Sequence, residues 1–147
     1  MITVKVPATS ANIGSGFDSC GLALGLYNTV QMEPAEGVHI SSADKSRVPT
    51  GENNLIYTTA RHLYELCGKP FTGLKLVQTN AIPQARGLGS SSACIAAGLL
   101  GANALLGEPL KADEILNLAT KLEGHPDNVA PALLGGFVVS AYDAGRV

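Results

Sequence analysis

From Gly87 to Gly107 the chain carries no charged residue, and this stretch constrains how everything around it can fold. Its length approaches that of a membrane-spanning helix. Ser90, Ser91, Ser92, Asn103 and five glycines nevertheless interrupt it, so a buried helix entered through a glycine loop is the better reading. Ser90 to Leu106 is apolar nearly all round, the pattern of a helix covered on every side. Other elements must supply that cover. Leu55 to Cys67 sets Ile56, Ala60, Leu63 and Cys67 at helical spacing and stops at Gly68. Ala112 to Glu123 turns Ile115, Leu118, Ala119 and Leu122 to one face, opened by Asp113 and closed by Gly124.

Strand patterns surround these helices. Ile2, Val4 and Val6 alternate with Thr3 and Lys5 up to Pro7, where the strand is expected to end. Residues 8–25, rich in Ser, Asn and Gly, predict no long regular element. Leu26–Met32 and Val38–Ser42 predict an antiparallel pair around Gly37, followed by a polar loop over residues 43–53. Thr72–Thr79 places Leu74, Leu76 and Gln78 on one side, and Gly135-Gly136 introduces a last strand, Phe137–Ala141. The order is that of an α+β domain, a mixed or antiparallel sheet packed with helices, rather than of alternating βαβ units. At 147 residues the chain matches one domain, for which about 150 residues is the usual guide.

Composition narrows the function classes. Hydrophobic residues at 46% exclude a disordered chain. Charged residues are 15%, against about 25% in a typical soluble domain, which suggests an apolar face awaiting cover. A net charge of −2 with no basic cluster argues against a nucleic-acid module. Cys20, Cys67 and Cys94 are odd in number and lack metal-ligand spacing, so they read as reduced thiols of a cytoplasmic protein. Met1 to Pro7 has no apolar core of signal-peptide length.

Chemistry concentrates in three segments. Pro83-Gln84-Ala85-Arg86-Gly87-Leu88-Gly89-Ser90-Ser91-Ser92-Ala93 lies between a predicted strand and the apolar helix. A helix start exposes unpaired N–H groups and the positive end of the dipole, which attract phosphate. Glycines admit close approach of the backbone, and the serine hydroxyls add donors and a hard ligand for Mg²⁺. No Gly-Lys-Ser/Thr follows, so this is not a Walker A loop. Serines that merely cap a helix are the alternative; three in a row before a buried helix favour phosphate.

Asn12 and Asp18 sit in a glycine-rich loop after the first strand, suited either to hold an ammonium and a hydroxyl or to brace the turn through their own backbone bonds. Glu123-Gly124-His125-Pro126-Asp127-Asn128 packs two carboxylates, an imidazole and an amide just past a helix end. A carboxylate there can hold Mg²⁺, and a second can orient or deprotonate an attacking hydroxyl. Asp127 is equally suited to cap a short helix beginning near Val129, and His125 to face solvent near a helix end.

The run Pro83 to Ala93 resembles the nucleotide loop of the GHMP kinase superfamily. With Arg86 and its serines it is most similar to the homoserine kinases within that superfamily. Val6–Asp18 and the run from Glu123 to Gly136 carry the same resemblance, so it extends over nearly the whole chain. The resemblance implies ATP phosphates cradled by residues 83–93, Mg²⁺ contacted by Ser91 and Glu123, and homoserine held by Asn12, Asp18, His125 and Asn128. It implies a catalytic set of Glu123, Asn128 and Asp127. Asp127 aligns with the aspartate that acts as base in mevalonate-type relatives, whereas homoserine kinases manage without a dedicated base. The implied reaction moves the γ-phosphoryl of ATP to the side-chain hydroxyl of L-homoserine, giving O-phospho-L-homoserine for threonine biosynthesis.

Members of that family are longer. They carry a second domain with a third glycine-rich motif and arginines for the substrate carboxylate. Residues 1–147 are therefore expected to form the N-terminal, ATP-binding domain, with the C-terminal domain absent from this chain. The expected partners are small molecules, without nucleic acid or membrane, and there is room for a homodimer. Another GHMP kinase, acting on a mevalonate-like or sugar substrate, and a non-catalytic nucleotide-binding fragment remain the alternatives.

Overall fold

The computed structural model describes residues 1–147. Alternating apolar residues start the first strand, β1 (Ile2–Ala11), which continues through Pro7 instead of ending there. β1 lies at the edge of the sheet, paired only with β2 (Cys20–Pro34), and the register shifts between Pro7 and Thr9. An edge position next to an irregularity tolerates a residue without an N–H. The two strands thus take up much of the segment expected to be irregular, leaving residues 12–19 as the connecting loop.

β2 and β3 (Gly37–Ser42) do not pair. After the helix α1 (Leu55–Leu66), the strand β4 (Gly73–Asn80) inserts between them, giving the order β1-β2-β4-β3. β4 runs antiparallel to β2, with Asn28 opposite Asn80 and Pro34 opposite Leu74, and parallel to β3. The cause is burial. Leu74 and Leu76 are fully buried and Gln78 nearly so, a requirement only a central strand meets, and the α1 crossover allows the parallel pairing. The expected antiparallel β2–β3 pair is therefore replaced by two ladders onto β4.

The helices fall where the sequence places them. Asn54 starts α1 by accepting from the N–H of Ile56 (3.0 Å) and Tyr57 (3.3 Å). α2 (Ser90–Leu105) is buried along nearly its whole length, with Ala93, Ala96, Leu99 and Ala102 in the core beside Leu63, Leu76 and Met32. A Cβ on Gly98 would stand 2.8 Å from the carbonyl oxygen of Ile56, which is why α2 and α1 can cross so closely. α3 (Ala112–Glu123) begins with the Glu114 carboxylate accepting from the Lys111 N–H at 2.8 Å and ends at Gly124. α4 (Pro126–Leu134) starts three residues before the expected Val129, because Pro126 takes a first-turn position that needs no N–H donor. β5 (Phe137–Val139) returns to pair with β2. No helix is long and apolar enough to cross a membrane.

Candidate active site

The start of α2 is the organising point. Gly89 precedes it with φ of 65° and no side chain caps the helix, so the first-turn N–H groups of Ser90, Ser91 and Ser92 keep no intrahelical partner. Ser90 and Ser91 line a cavity of about 270 Å³ together with Gln84, Ala85 and Cys94. Its opposite wall comes from the loop Val48–Leu55 and from Gln78 and Asn80 of β4. A concave space beside an uncapped helix start is a natural anion site. Of the residues expected to bind nucleotide, Pro83, Gln84, Ala85, Arg86 and Gly87 are exposed and Leu88, Gly89 and Ser90 half-buried. Ser91 is exposed, whereas Ser92 and Ala93 are buried, and the Ala93 N–H is spent on Gly89 O (2.9 Å). The Arg86 guanidinium donates only to the carbonyl of Ala85 (3.0 Å) and meets no carboxylate.

Helix α3 delivers its last residue to the same place. Glu123 accepts from Ser91 Oγ at 3.1 Å and from Ser92 Oγ at 2.9 Å. Two segments some thirty residues apart are thereby bridged, and the two oxygens expected to hold a metal, on Ser91 and Glu123, are in direct contact. No cluster of three or more His, Cys, Asp or Glu accompanies them. One carboxylate with one hydroxyl fits Mg²⁺, which characteristically takes few protein ligands and completes its shell with waters and substrate phosphates. Nearby, burial and then the Glu123 charge push the Cys94 thiol up to about 11, so it stays protonated at neutral pH.

Thr9 joins this point to the rest of the site. It is fully buried, donates its N–H to Leu88 O (3.1 Å) and its hydroxyl to Asn128 Oδ1 (2.8 Å). A Cβ on Gly89 would fall 2.0 Å from Thr9 Oγ1. Glycine is thus required at position 89 twice over, for the left-handed backbone and for the approach of β1. Sequence reasoning passed over Thr9; the only signal was that it follows Pro7-Ala8 in the first motif segment.

The Glu123–Asn128 segment divides into exposed and buried parts. His125 is half-buried, its Nδ1 against Asp127 Oδ1, while Asp127 itself is 1% exposed with Oδ2 unpartnered. Asn12 and Asp18 are exposed in the β1–β2 loop, both with positive φ (58° and 54°). Asn12 Oδ1 accepts from the Asp18 N–H at 2.8 Å, so Asn12 braces the turn, as one reading of the sequence had it. No hydrogen bond links Asn12 or Asp18 to the Glu123–Asn128 segment. Their loop is instead carried by the strand ends on which α4 rests, for the Asp127 carbonyl lies 1.8 Å from where a Cβ on Gly21 would be.

The far wall of the cavity was not legible as functional. Gln78 Nε2 and Asn80 Oδ1 are buried there without partners, a donor and an acceptor left for a ligand. The loop above them is tied down by Asp44, which accepts from Ser42 Oγ (2.7 Å), Ser46 N (3.1 Å) and Asn80 N (2.8 Å). The hydrogen bonds from Ser46, Ser42 and Asn80 hold this carboxyl well below the usual carboxylate range.

Comparison with known proteins identifies the family of this fold. Residues 54–136 fit the family model described as the GHMP kinases N terminal domain. The homoserine kinase of Carboxydothermus hydrogenoformans is 50% identical over 100% of this chain, which covers 49% of that protein. That of Moorella thermoacetica is 48% identical, again over 100% of this chain and 50% of its own length. A structure from Listeria monocytogenes assigned as a homoserine kinase superposes with a TM-score of 0.88 at 46% identity, over 98% of this chain and 51% of that one. The chain therefore spans about half the length of the curated relatives it matches. On the family match and these likenesses together, the chain belongs to the GHMP kinases.

Proposed function

We propose that this chain is the N-terminal, nucleotide-binding part of a homoserine kinase, which transfers the γ-phosphoryl of ATP to the side-chain hydroxyl of L-homoserine. The observation that carries the reading is the meeting of Ser91, Ser92 and Glu123 at the uncapped start of α2. That arrangement sets uncapped backbone donors for a triphosphate beside a carboxylate suited to its Mg²⁺. The choice of acceptor rests on the likeness to the homoserine kinases above.

In this reading the N–H groups of Ser90, Ser91 and Ser92 and the exposed Arg86 bind the phosphates, and the cavity lined by Gln78, Asn80 and the 48–55 loop takes the nucleoside. Ser91 and Glu123 hold Mg²⁺, whose chemistry is to neutralise charge on the phosphate oxygens. Asn12, Asp18, His125 and Asn128 surround the amino acid. Thr9 fixes Asn128 Oδ1, leaving the amide N–H groups to face the acceptor hydroxyl. Catalysis is chiefly positioning and electrostatic stabilisation of an in-line transfer. The rest of the relatives' length would form the second domain and complete the acceptor site. Three free cysteines support a reducing, cytoplasmic setting, and threonine biosynthesis is the context the product implies.

A coupled ADP-release assay tests this on a protein extended by the native downstream sequence, with MgATP and either L-homoserine or mevalonate. ADP release that depends on homoserine is expected. Release with mevalonate and not with homoserine would keep the family and overturn the substrate.

A further inference from the structure

The first turn of α4 is fixed from two sides. On one, Asn128 Oδ1 accepts from buried Thr9 at 2.8 Å. On the other, the backbone at Asp127 rests against Gly21, and Pro131 Cγ lies 2.8 Å from where a Cβ on Gly21 would be. Within that rigid turn the Asp127 side chain is fully buried, whereas that of His125 is 44% exposed. Asp127 Oδ1 meets His125 Nδ1, Asp127 Oδ2 is buried without a partner, and His125 Nε2 has no partner in the chain.

We infer that Asp127 is a positioning residue for the acceptor site: its carboxylate holds the His125 ring in one orientation with the proton on Nδ1, leaving Nε2 as the group offered to the amino acid. The inference rests on the acceptor site proposed above. It gives Asp127 a different task from that of a base. Its side chain is fully buried and one of its oxygens already meets the imidazole, so the carboxylate is closed to a substrate hydroxyl in this arrangement. A histidine's outer nitrogen takes its role from the bond the inner one makes, and a buried carboxylate on Nδ1 fixes both tautomer and ring direction. A ring so held presents Nε2 without losing rotamer freedom when substrate arrives.

Two readouts separate this from a merely structural role. The first is long-range ¹H–¹⁵N NMR of the histidine rings in this chain, where only His39 and His62 need to be told apart from His125. It is recorded at mildly alkaline pH. The proton is expected on Nδ1 of His125, and Asp127→Asn or Asp127→Leu should shift it toward Nε2. An Nε2-protonated ring in the unmodified chain, or a tautomer indifferent to both substitutions, would overturn the inference. If the leucine variant does not fold, the near-isosteric asparagine variant carries the test alone.

The second readout is kinetic, on the extended protein. Asp127→Asn should raise KM for homoserine about 10- to 100-fold, the range for losing a hydrogen bond to a charged group. KM for ATP should stay within about twofold. An equal rise in both constants would mean that Asp127 only supports the fold. If the unmodified enzyme does not phosphorylate homoserine at all, the acceptor reading fails, and the tautomer measurement still decides the role of Asp127.

Discussion

Replacing Glu123 separates a metal ligand from a clip between two helices. The carboxylate accepts from Ser91 Oγ at 3.1 Å and from Ser92 Oγ at 2.9 Å, and Ser92 is fully buried. Glu123→Ala removes both acceptors and strands the Ser92 hydroxyl, at a cost of about 1–3 kcal/mol for an unsatisfied buried group. In a domain of this size that lowers Tm by roughly 2–4 °C per kcal/mol. Glu123→Gln keeps one carbonyl oxygen for a serine and so retains most of the clip, but it discards the charge. If Glu123 serves the phosphates through a metal ion, the glutamine variant loses roughly 10²–10³ in kcat, the size seen when one preorganised electrostatic group is removed. Its Tm should move by only a degree or two, and its Mg²⁺ requirement should rise. Thermal melts followed by circular dichroism and ADP release titrated with Mg²⁺, both on the extended protein, measure the two effects. Full kcat and an unchanged Mg²⁺ dependence in Glu123→Gln would show Glu123 to be a clip and refute the reasoning.

Other perturbations probe the surrounding parts. Gly89→Ala puts a Cβ about where Thr9 Oγ1 now sits and forces alanine into the left-handed region; melts should show a loss of at least about 1–2 kcal/mol, together with loss of turnover. Thr9→Val leaves Asn128 Oδ1 unpaired and should lower kcat with little change in KM for ATP, read from steady-state kinetics. Asp44→Ala releases the 43–53 loop from Asn80, so KM for ATP should rise while KM for homoserine does not. Cys94 gives a pH prediction. Its folded thiol is pushed up to about 11 against an ordinary 9.0, so the unfolded chain loses this proton first. Stability is therefore expected to fall as pH rises from about 9 to about 11, and urea midpoints for Cys94→Ala should fall less steeply over that window.

Much of the fold was written in local patterns. Gly68, Gly124 and the apolar spacing of Leu55–Cys67 and Ala112–Glu123 mark helix ends and faces within a few residues, so α1, α2 and α3 lie where expected. Strand pairing was not legible, because a strand's partner is chosen by burial of the finished sheet and not by its own residues. Val38–Ser42 reads the same beside β2 as beside β4, and only the burial of Leu74 and Leu76 decides in favour of β4. Pro7 reads as a stop unless its strand is known to be an edge.

The site shows the same division. Ser91 and Glu123 could be named from motif segments, and the fold brings them to 3.1 Å. Thr9, Gln78 and Asn80 could not, since a buried threonine or an orphaned amide acquires meaning only when another segment closes over it. Asp127 was legible as chemically important, but not its burial, which comes with packing of its backbone on Gly21, more than a hundred residues away.

Hydrogen exchange at the α2 start tests the central claim most directly. The backbone N–H groups of Ser90 and Ser91 lack intrahelical partners at the open helix start and should exchange rapidly in the free protein. Adding MgATP to the extended protein should slow exchange in the segment 83–92, and Glu123→Gln should weaken that protection. Protection confined to other segments, with residues 83–92 exchanging as before, would show that the triphosphate binds elsewhere and would contradict the account.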